Sequence, residues 1–285
     1  RIGAGFLGNG YAPFTVQNPG TVPENVKPPQ MGDNNQTMAR ANRRKDILGV
    51  LEGNFRTQVA PHLTKESDRK AYADASQAHT ELMNKALDVT LRGGTKMFEF
   101  GTEDNKLLAE YGNNGFGRSL LLARKLVESG VTAVECDLGG WDMHGNVADG
   151  VRRQASGTLD PAFAALIKDL NQRGLYKDTL VVWMGDFGRT PRINQGAGRD
   201  HWGNCWTMVM GGAGLKQGVS YGETDKDGMS IKKDPVNVNQ LYATMYTALG
   251  IDLKDRNLDL HDNLGRRFYV AGDKENAEPI KALLA

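Results

Sequence analysis

Cysteine is scarce in this chain: Cys136 and Cys205 are its two thiols, too few for a disulfide framework. Cys136 sits in an apolar, strand-like run and reads as a buried free thiol. No apolar run approaches the roughly 18 residues needed to cross a bilayer, so no membrane span is expected. Charge of one sign is also lacking. Lys and Arg number 35 against 34 Asp and Glu, and a net charge of +1 gives no global electrostatic drive toward nucleic acid or an anionic membrane. Internal repeats and low-complexity segments are absent as well. The first residue is Arg1 rather than Met, with no charged-then-apolar leader, and this points to a processed or partial polypeptide.

What is present is an ordinary globular composition, 39% apolar and 24% charged over 285 residues. Residues 1–35 are rich in Gly, Pro and Asn and read as an irregular arm. Residues 36–110 read as a helical pair or an insertion. Its first helix spans about 35–59, with Leu48, Leu51 and Phe55 on one face and Pro61 ending it; the second spans about 64–91, capped by Thr64. Residues 111–285 carry the α/β pattern. A helix is expected over 116–129 with Gly130 after its end, then a buried strand over 131–138. An amphipathic stretch over 151–173 follows, with Leu159, Phe163, Leu166, Ile167 and Leu170 inward. Pro161 should kink it or begin a fresh helix there with Asp160 as cap. Residues 179–184 form a nearly all-apolar strand. Strand, helix, strand predicts a right-handed crossover in a mostly parallel sheet. Further expectations are a strand over 206–210, a hairpin around Asp225 to Gly228, a helix capped by Asn237 with Leu241, Met245 and Leu249 inward, and an irregular tail containing His261.

Three glycine-rich segments stand out between residues 139 and 202: Gly139-Gly140-Trp141-Asp142-Met143-His144-Gly145, Gly185-Asp186-Phe187-Gly188-Arg189-Thr190-Pro191 and Gly198-Arg199-Asp200-His201-Trp202. Asp142 and His144 lie two apart, so in an extended segment both side chains leave one face. Glycine allows close backbone approach to a ligand. Carboxylate and imidazole donors converging at strand ends suit a divalent cation, zinc first, with manganese or calcium as alternatives. Taken singly, each residue also has a plain explanation: a capping Asp142, a loop His144, an Asx-turn at Asp186, and Asp200 with His201 packed on Trp202.

These segments, with Leu121-Leu122-Ala123-Arg124 and Pro279-Ile280-Lys281, resemble an uncharacterised, sulfatase-related bacterial family of the alkaline phosphatase superfamily, with similarity running from Ala4 to Lys281. The resemblance implies an alkaline-phosphatase or sulfatase-like sheet flanked by helices, incomplete in this chain. It implies Asp142, His144 and His201 as ligands of one metal, and Asp186 as a ligand of, or bridge toward, a second. Phe187 stands where the superfamily usually has His, which removes a second-site ligand. Under this resemblance the nucleophile lies upstream of the segment matched, another chain or the upstream segment completes the sheet, and the protein is exported or periplasmic. Arg189 and Arg199 would hold a tetrahedral dianion, and Asp200 would orient a histidine. The implied activity is metal-dependent hydrolysis of small anionic phosphate or sulfate esters. The alternatives are a catalytically silent, metal-stabilised binding or structural protein, and a phosphomutase-like transferase.

Overall fold

The computed structural model describes residues 13–23, scattered positions between 39 and 65, and 94–255, 258–262, 265–271 and 277–285. The chain divides into two compact units, Arg1–Gly101 and Thr102–Ala285. In the first, residues 13–23 are irregular, and the described positions between 39 and 58 are helical and exposed. The expected inward residues Leu48, Leu51 and Phe55, and the expected second helix over 64–91 apart from Lys65, which lies in a bend, are outside the described residues. A short 3-10 turn, Gly94–Phe98, buries Phe98, against which Phe14 packs with ring centroids 6.1 Å apart.

The second unit is a mixed α/β structure. Helix α1 (Thr102–Tyr111), α2 (Gly115–Glu128) and α4 (Asp160–Gln172) pack together. The start of α2 is set by Asn114, whose side chain accepts from the Gly117 N–H, and its end by Gly130 at φ +88°. Leu120, Leu121, Leu126, Leu166 and Leu170 form the core between these helices. Buried with them are Arg124 and Asp169, and the apolar pattern gave no sign of this pair. Tyr111 and Arg124 both donate to Asp169 Oδ2 at 2.9 Å, and Arg173 donates to Asp169 Oδ1 at 2.7 Å. Burial and the adjacent Asp169 carboxylate push the Tyr111 phenol well above its ordinary pKa.

Helix α3 (Val147–Gln154) runs into α4 through a π turn, Ala155–Leu159. Pro161 falls in the first turn of α4 and, lacking an N–H, interrupts the backbone ladder where the π turn passes into that helix. Asp160 is not the cap. Leu159 precedes the helix with helical φ and ψ, because the π turn delivers the chain already coiled.

The strands correct the expected topology. Strands β1 (Leu180–Trp183) and β4 (Val209–Gly212) pair antiparallel, as do β2 (Gly188–Arg189) with β3 (His201–Trp202) and β5 (Glu223–Thr224) with β6 (Ile231–Lys233). Every named strand pair among the described residues is antiparallel, and no alkaline-phosphatase-like parallel sheet is formed by them. The reason lies at residues 131–138. The segment alternates half-buried Val134, Cys136 and Leu138 with exposed neighbours, as an extended chain does, yet residues 132–140 make no backbone–backbone hydrogen bond among the described residues. Strand β1 therefore meets β4 and not 131–138, and Trp183 stays 44% exposed. The hairpin carrying β2 and β3 turns the chain back between β1 and β4, which makes the antiparallel register follow.

Helix α5 (Val238–Ala248) opens on a reciprocal capping box between Asn237 and Gln240. Its buried residues are Ala243 and Thr244, whereas Leu249, expected inward, is 48% exposed. Thr244 Oγ1 accepts from the Ile280 N–H at 2.9 Å, which ties the C-terminal residues to this helix. The region after 251 is also more regular than expected: β7 (Leu260–His261) pairs with β8 (Arg267–Phe268), placing His261 in a short exposed strand. No helix among the described residues is long and apolar enough to cross a membrane.

Candidate metal centre

Two backbone connections bring the three glycine-rich segments together. Residues 143–147 lie alongside 196–199: Asn146 and Val147 donate to the Gly196 and Ala197 carbonyls at 3.1 and 2.9 Å, and Arg199 donates to the Met143 carbonyl at 3.0 Å. Gly198 is obligatory in this contact, since a Cβ there would come 2.0 Å from the His144 carbonyl carbon. Two non-glycine residues in this pairing, Asn146 and Ala197, hold left-handed backbone at φ 48° and 57°, a strain typical of functional loops. The second connection is the β2–β3 pair, whose register sets Arg189 opposite His201. Directly opposed residues share a face.

Asp142, His144 and His201 converge as a result. One ligand atom from each lies within 4.8 Å of the others. Asp142 Oδ1 is 2.9 Å from His144 Nε2 and 2.9 Å from His201 Nε2, and it accepts from Arg189 Nη1 at 2.5 Å. Two donors bound to one zinc at about 2.0–2.1 Å and a tetrahedral angle would be about 3.3 Å apart, and the two histidine nitrogens lie 2.9 Å from Asp142 Oδ1. The three side chains are about half exposed. Hydrogen bonds from Arg189, then His201, hold the Asp142 carboxyl at a pKa of about 2.

Asp200 backs this arrangement. Its Oδ1 is 2.8 Å from His144 Nδ1, which places the proton on Nδ1 and turns Nε2 toward Asp142. That contact raises the His144 pKa, and the same bond, followed by one from Asn194, lowers that of Asp200. Asn194 is the residue that sequence reasoning missed. Its Nδ2 donates to Asp200 Oδ1 and to the His144 carbonyl at 3.0 and 3.1 Å, while its Oδ1 accepts from the Gly196 and Gly198 N–H groups at 3.0 and 2.8 Å. An asparagine two residues before a glycine is an Asx-turn signal, and that pattern could have flagged it.

Phe187 packs on His201 with ring centroids 4.5 Å apart, and the Arg189 guanidinium carbon lies 5.5 Å from the Phe187 ring centre. Asp186 lies outside the three-ligand cluster, and its Oδ1 accepts from the Phe187 N–H at 2.9 Å. Arg199 spends Nη1 on the Thr190 and Pro191 carbonyls at 2.5 and 2.8 Å, fastening the loop. A separate cavity of about 530 Å³ is lined by Gly140, Met143, Asn146, Arg153, Gln154 and Thr158. Among the cluster's neighbours Met143 borders it, whereas the three ligand side chains do not.

Fold and cluster together define a mixed α/β chain carrying an exposed centre of two histidines and one carboxylate. The chain belongs to the family described as "Protein of unknown function (DUF1501)", which it matches over residues 1–284. No sulfatase or alkaline phosphatase family matches it, and the resemblance drawn from the motifs is corrected accordingly. The upstream nucleophile, the second metal and export rested on that resemblance and lose that support. No curated protein and no solved structure matches the chain.

Proposed function

We propose that the protein is a divalent-metal-dependent hydrolase of small anionic phosphate or sulfate esters, with Asp142, His144 and His201 holding the cation. The observation that carries this reading is the donor set itself: one carboxylate and two imidazoles within 4.8 Å of one another, half exposed, with the ring of one histidine fixed by a carboxylate behind it. Structural zinc sites close with four protein ligands, whereas three ligands facing solvent leave a position for a substrate or water. Two imidazoles favour zinc, then manganese; calcium, which prefers oxygen donors, fits least well.

A cation bound here would supply Lewis-acid polarisation of an ester oxygen and lower the pKa of a nearby water. The chain's own residues would do the rest. Asp200 keeps the His144 ring in its ligating orientation, and Asn194 holds Asp200 and the His144 backbone in one frame. Arg189 supplies a guanidinium at the rim, suited by its planar fork to a tetrahedral oxyanion. Hydrolysis would add the elements of water across the ester bond, releasing an alcohol and inorganic phosphate or sulfate.

The test is metal analysis and zinc titration of the purified protein, followed by assay on p-nitrophenyl phosphate and p-nitrophenyl sulfate. The reading expects one high-affinity cation, hydrolysis of at least one ester, and loss of both in Asp142→Ala and His201→Ala. Cation binding with no hydrolysis of either ester, and an Asp142→Ala variant that loses only melting temperature, would establish the silent, metal-stabilised alternative instead.

A further inference from the structure

Three nitrogens crowd one oxygen in this cluster: Arg189 Nη1 at 2.5 Å and the Nε2 atoms of His144 and His201 at 2.9 Å all face Asp142 Oδ1. The guanidinium holds the place of positive charge that a cation would take. We propose that Arg189 is a metal-released anion clamp: a divalent cation displaces its guanidinium from Asp142, and the freed guanidinium then takes the substrate's tetrahedral oxyanion beside that cation. This rests on the reading that Asp142, His144 and His201 hold the cation.

The geometry supplies each stage. A dication on Asp142 Oδ1 satisfies that oxygen and repels a guanidinium in contact with it. Arg189 cannot swing far into solvent. Its backbone is fixed in β2 opposite His201, its side chain is only 23% exposed, and its guanidinium lies near Phe187, which packs on the His201 ring. Asp142 is its one carboxylate partner among the described residues. Once displaced, Arg189 is a positive group held at the edge of a second positive group, which favours an oxyanion able to touch both. Arg199 does not share the role, being committed to the Thr190 and Pro191 carbonyls.

Two thermodynamic consequences distinguish a clamp from a fixed ion pair that merely braces the loop. Because the guanidinium competes with the cation for Asp142, removing it should tighten cation binding in anion-free buffer. Because the anion stabilises the displaced guanidinium, anion and cation should tighten each other by the same factor, as linkage requires.

The experiment is zinc titration of the full chain by indicator competition, with and without inorganic phosphate or sulfate held below the concentration at which zinc salts precipitate. For the wild type we expect the effective anion to tighten zinc binding about 10-fold, within the usual span of coupled sites. For Arg189→Gln we expect zinc to bind about 10-fold tighter than to the wild type without anion, and the anion effect to disappear. Arg189→Lys keeps the charge without the planar fork; it should retain the competition with zinc and lose most of the anion effect, and it serves if Arg189→Gln does not fold. The relative size of the phosphate and sulfate effects identifies which oxyanion the clamp favours. Weaker zinc binding in a folded Arg189→Gln, or an undiminished anion effect there, overturns the clamp while leaving the metal centre standing. A wild type that binds no zinc overturns both.

Discussion

Replacing Arg124 with Met tests the clasp that joins helices α1, α2 and α4. Arg124, 3% exposed, bonds Asp169 at 2.9 Å, Asp104 at 3.3 Å and Glu128 at 2.6 Å, joining α1, α2 and α4. Methionine keeps much of the aliphatic volume and removes the guanidinium. Breaking a buried ion pair from one side costs roughly 3–5 kcal/mol, because a charge is left behind. Here no carboxylate is left bare: Asp169 keeps Tyr111 and Arg173, Asp104 keeps Lys125, and Glu128 keeps Arg173. The loss should therefore fall at the low end, about 3 kcal/mol. For a unit of this size 1 kcal/mol moves the melting temperature by about 2–4 °C, so a fall of about 6–12 °C is expected. Urea unfolding should show a lower midpoint at unchanged slope. Tyr111→Phe removes a single bond to a carboxylate that keeps two arginines, and should cost about 1.5 kcal/mol. An Arg124→Met variant as stable as the wild type, or more so, would refute the reasoning. It would place the helix packing on Leu120, Leu121, Leu126, Leu166 and Leu170 alone.

Four further outcomes follow from the geometry. Asp200→Asn should weaken zinc binding about 10- to 100-fold while leaving the unfolding midpoint of the metal-free protein nearly unchanged, since it withdraws the charge behind the His144 ring; an unaltered zinc isotherm would remove Asp200 from the site. Gly198→Ala must push the His144 backbone aside and should abolish zinc binding in a protein whose far-ultraviolet dichroism is preserved, so retained binding would contradict the close approach. Burial, reinforced by the Glu135 carboxylate, raises the Cys136 pKa to about 11. Its alkylation by iodoacetamide should thus be slow at neutral pH, accelerate as pH climbs toward that value, and match a free thiol after unfolding; equal native and unfolded rates at neutral pH would be inconsistent with this. The Asp225 carboxylate accepts from Ser230 Oγ at 2.6 Å and the Met229 N–H at 2.8 Å, which lowers its pKa. A depressed folded value means that its contribution to the β5–β6 hairpin is present above the ordinary carboxylate range and is lost as pH falls through the folded value. The protection factor of the Met229 amide, the intrinsic exchange rate at the same pH divided by the observed rate, should fall on acidification, and Ser230→Ala should move that loss to higher pH.

Local chemistry was legible in the sequence and long-range pairing was not. Helix α2, its closing Gly130, and the Asn237 cap of α5 were readable because each depends on residues within a turn or two. The parallel sheet was inferred from the apolar character of 131–138 and 179–184, and apolar character does not say which strand a backbone will meet. Arg124 and Asp169 look like surface charges in one dimension; only the meeting of three helices makes them core. In the site, Asp142, His144 and His201 were marked by their glycine-rich surroundings. The placement of Arg189 against Asp142 depends on the β2–β3 register, and the part played by Asn194 on two loops meeting, which no single segment reveals.

Asn194 touches both the main chain of His144 and the carboxylate that steadies the same residue's ring. Backbone and imidazole are thus referenced to one amide group, which also anchors the two glycines beside them. A displacement of Asn194 would therefore act on the His144 main chain and on the carboxylate behind its ring at once.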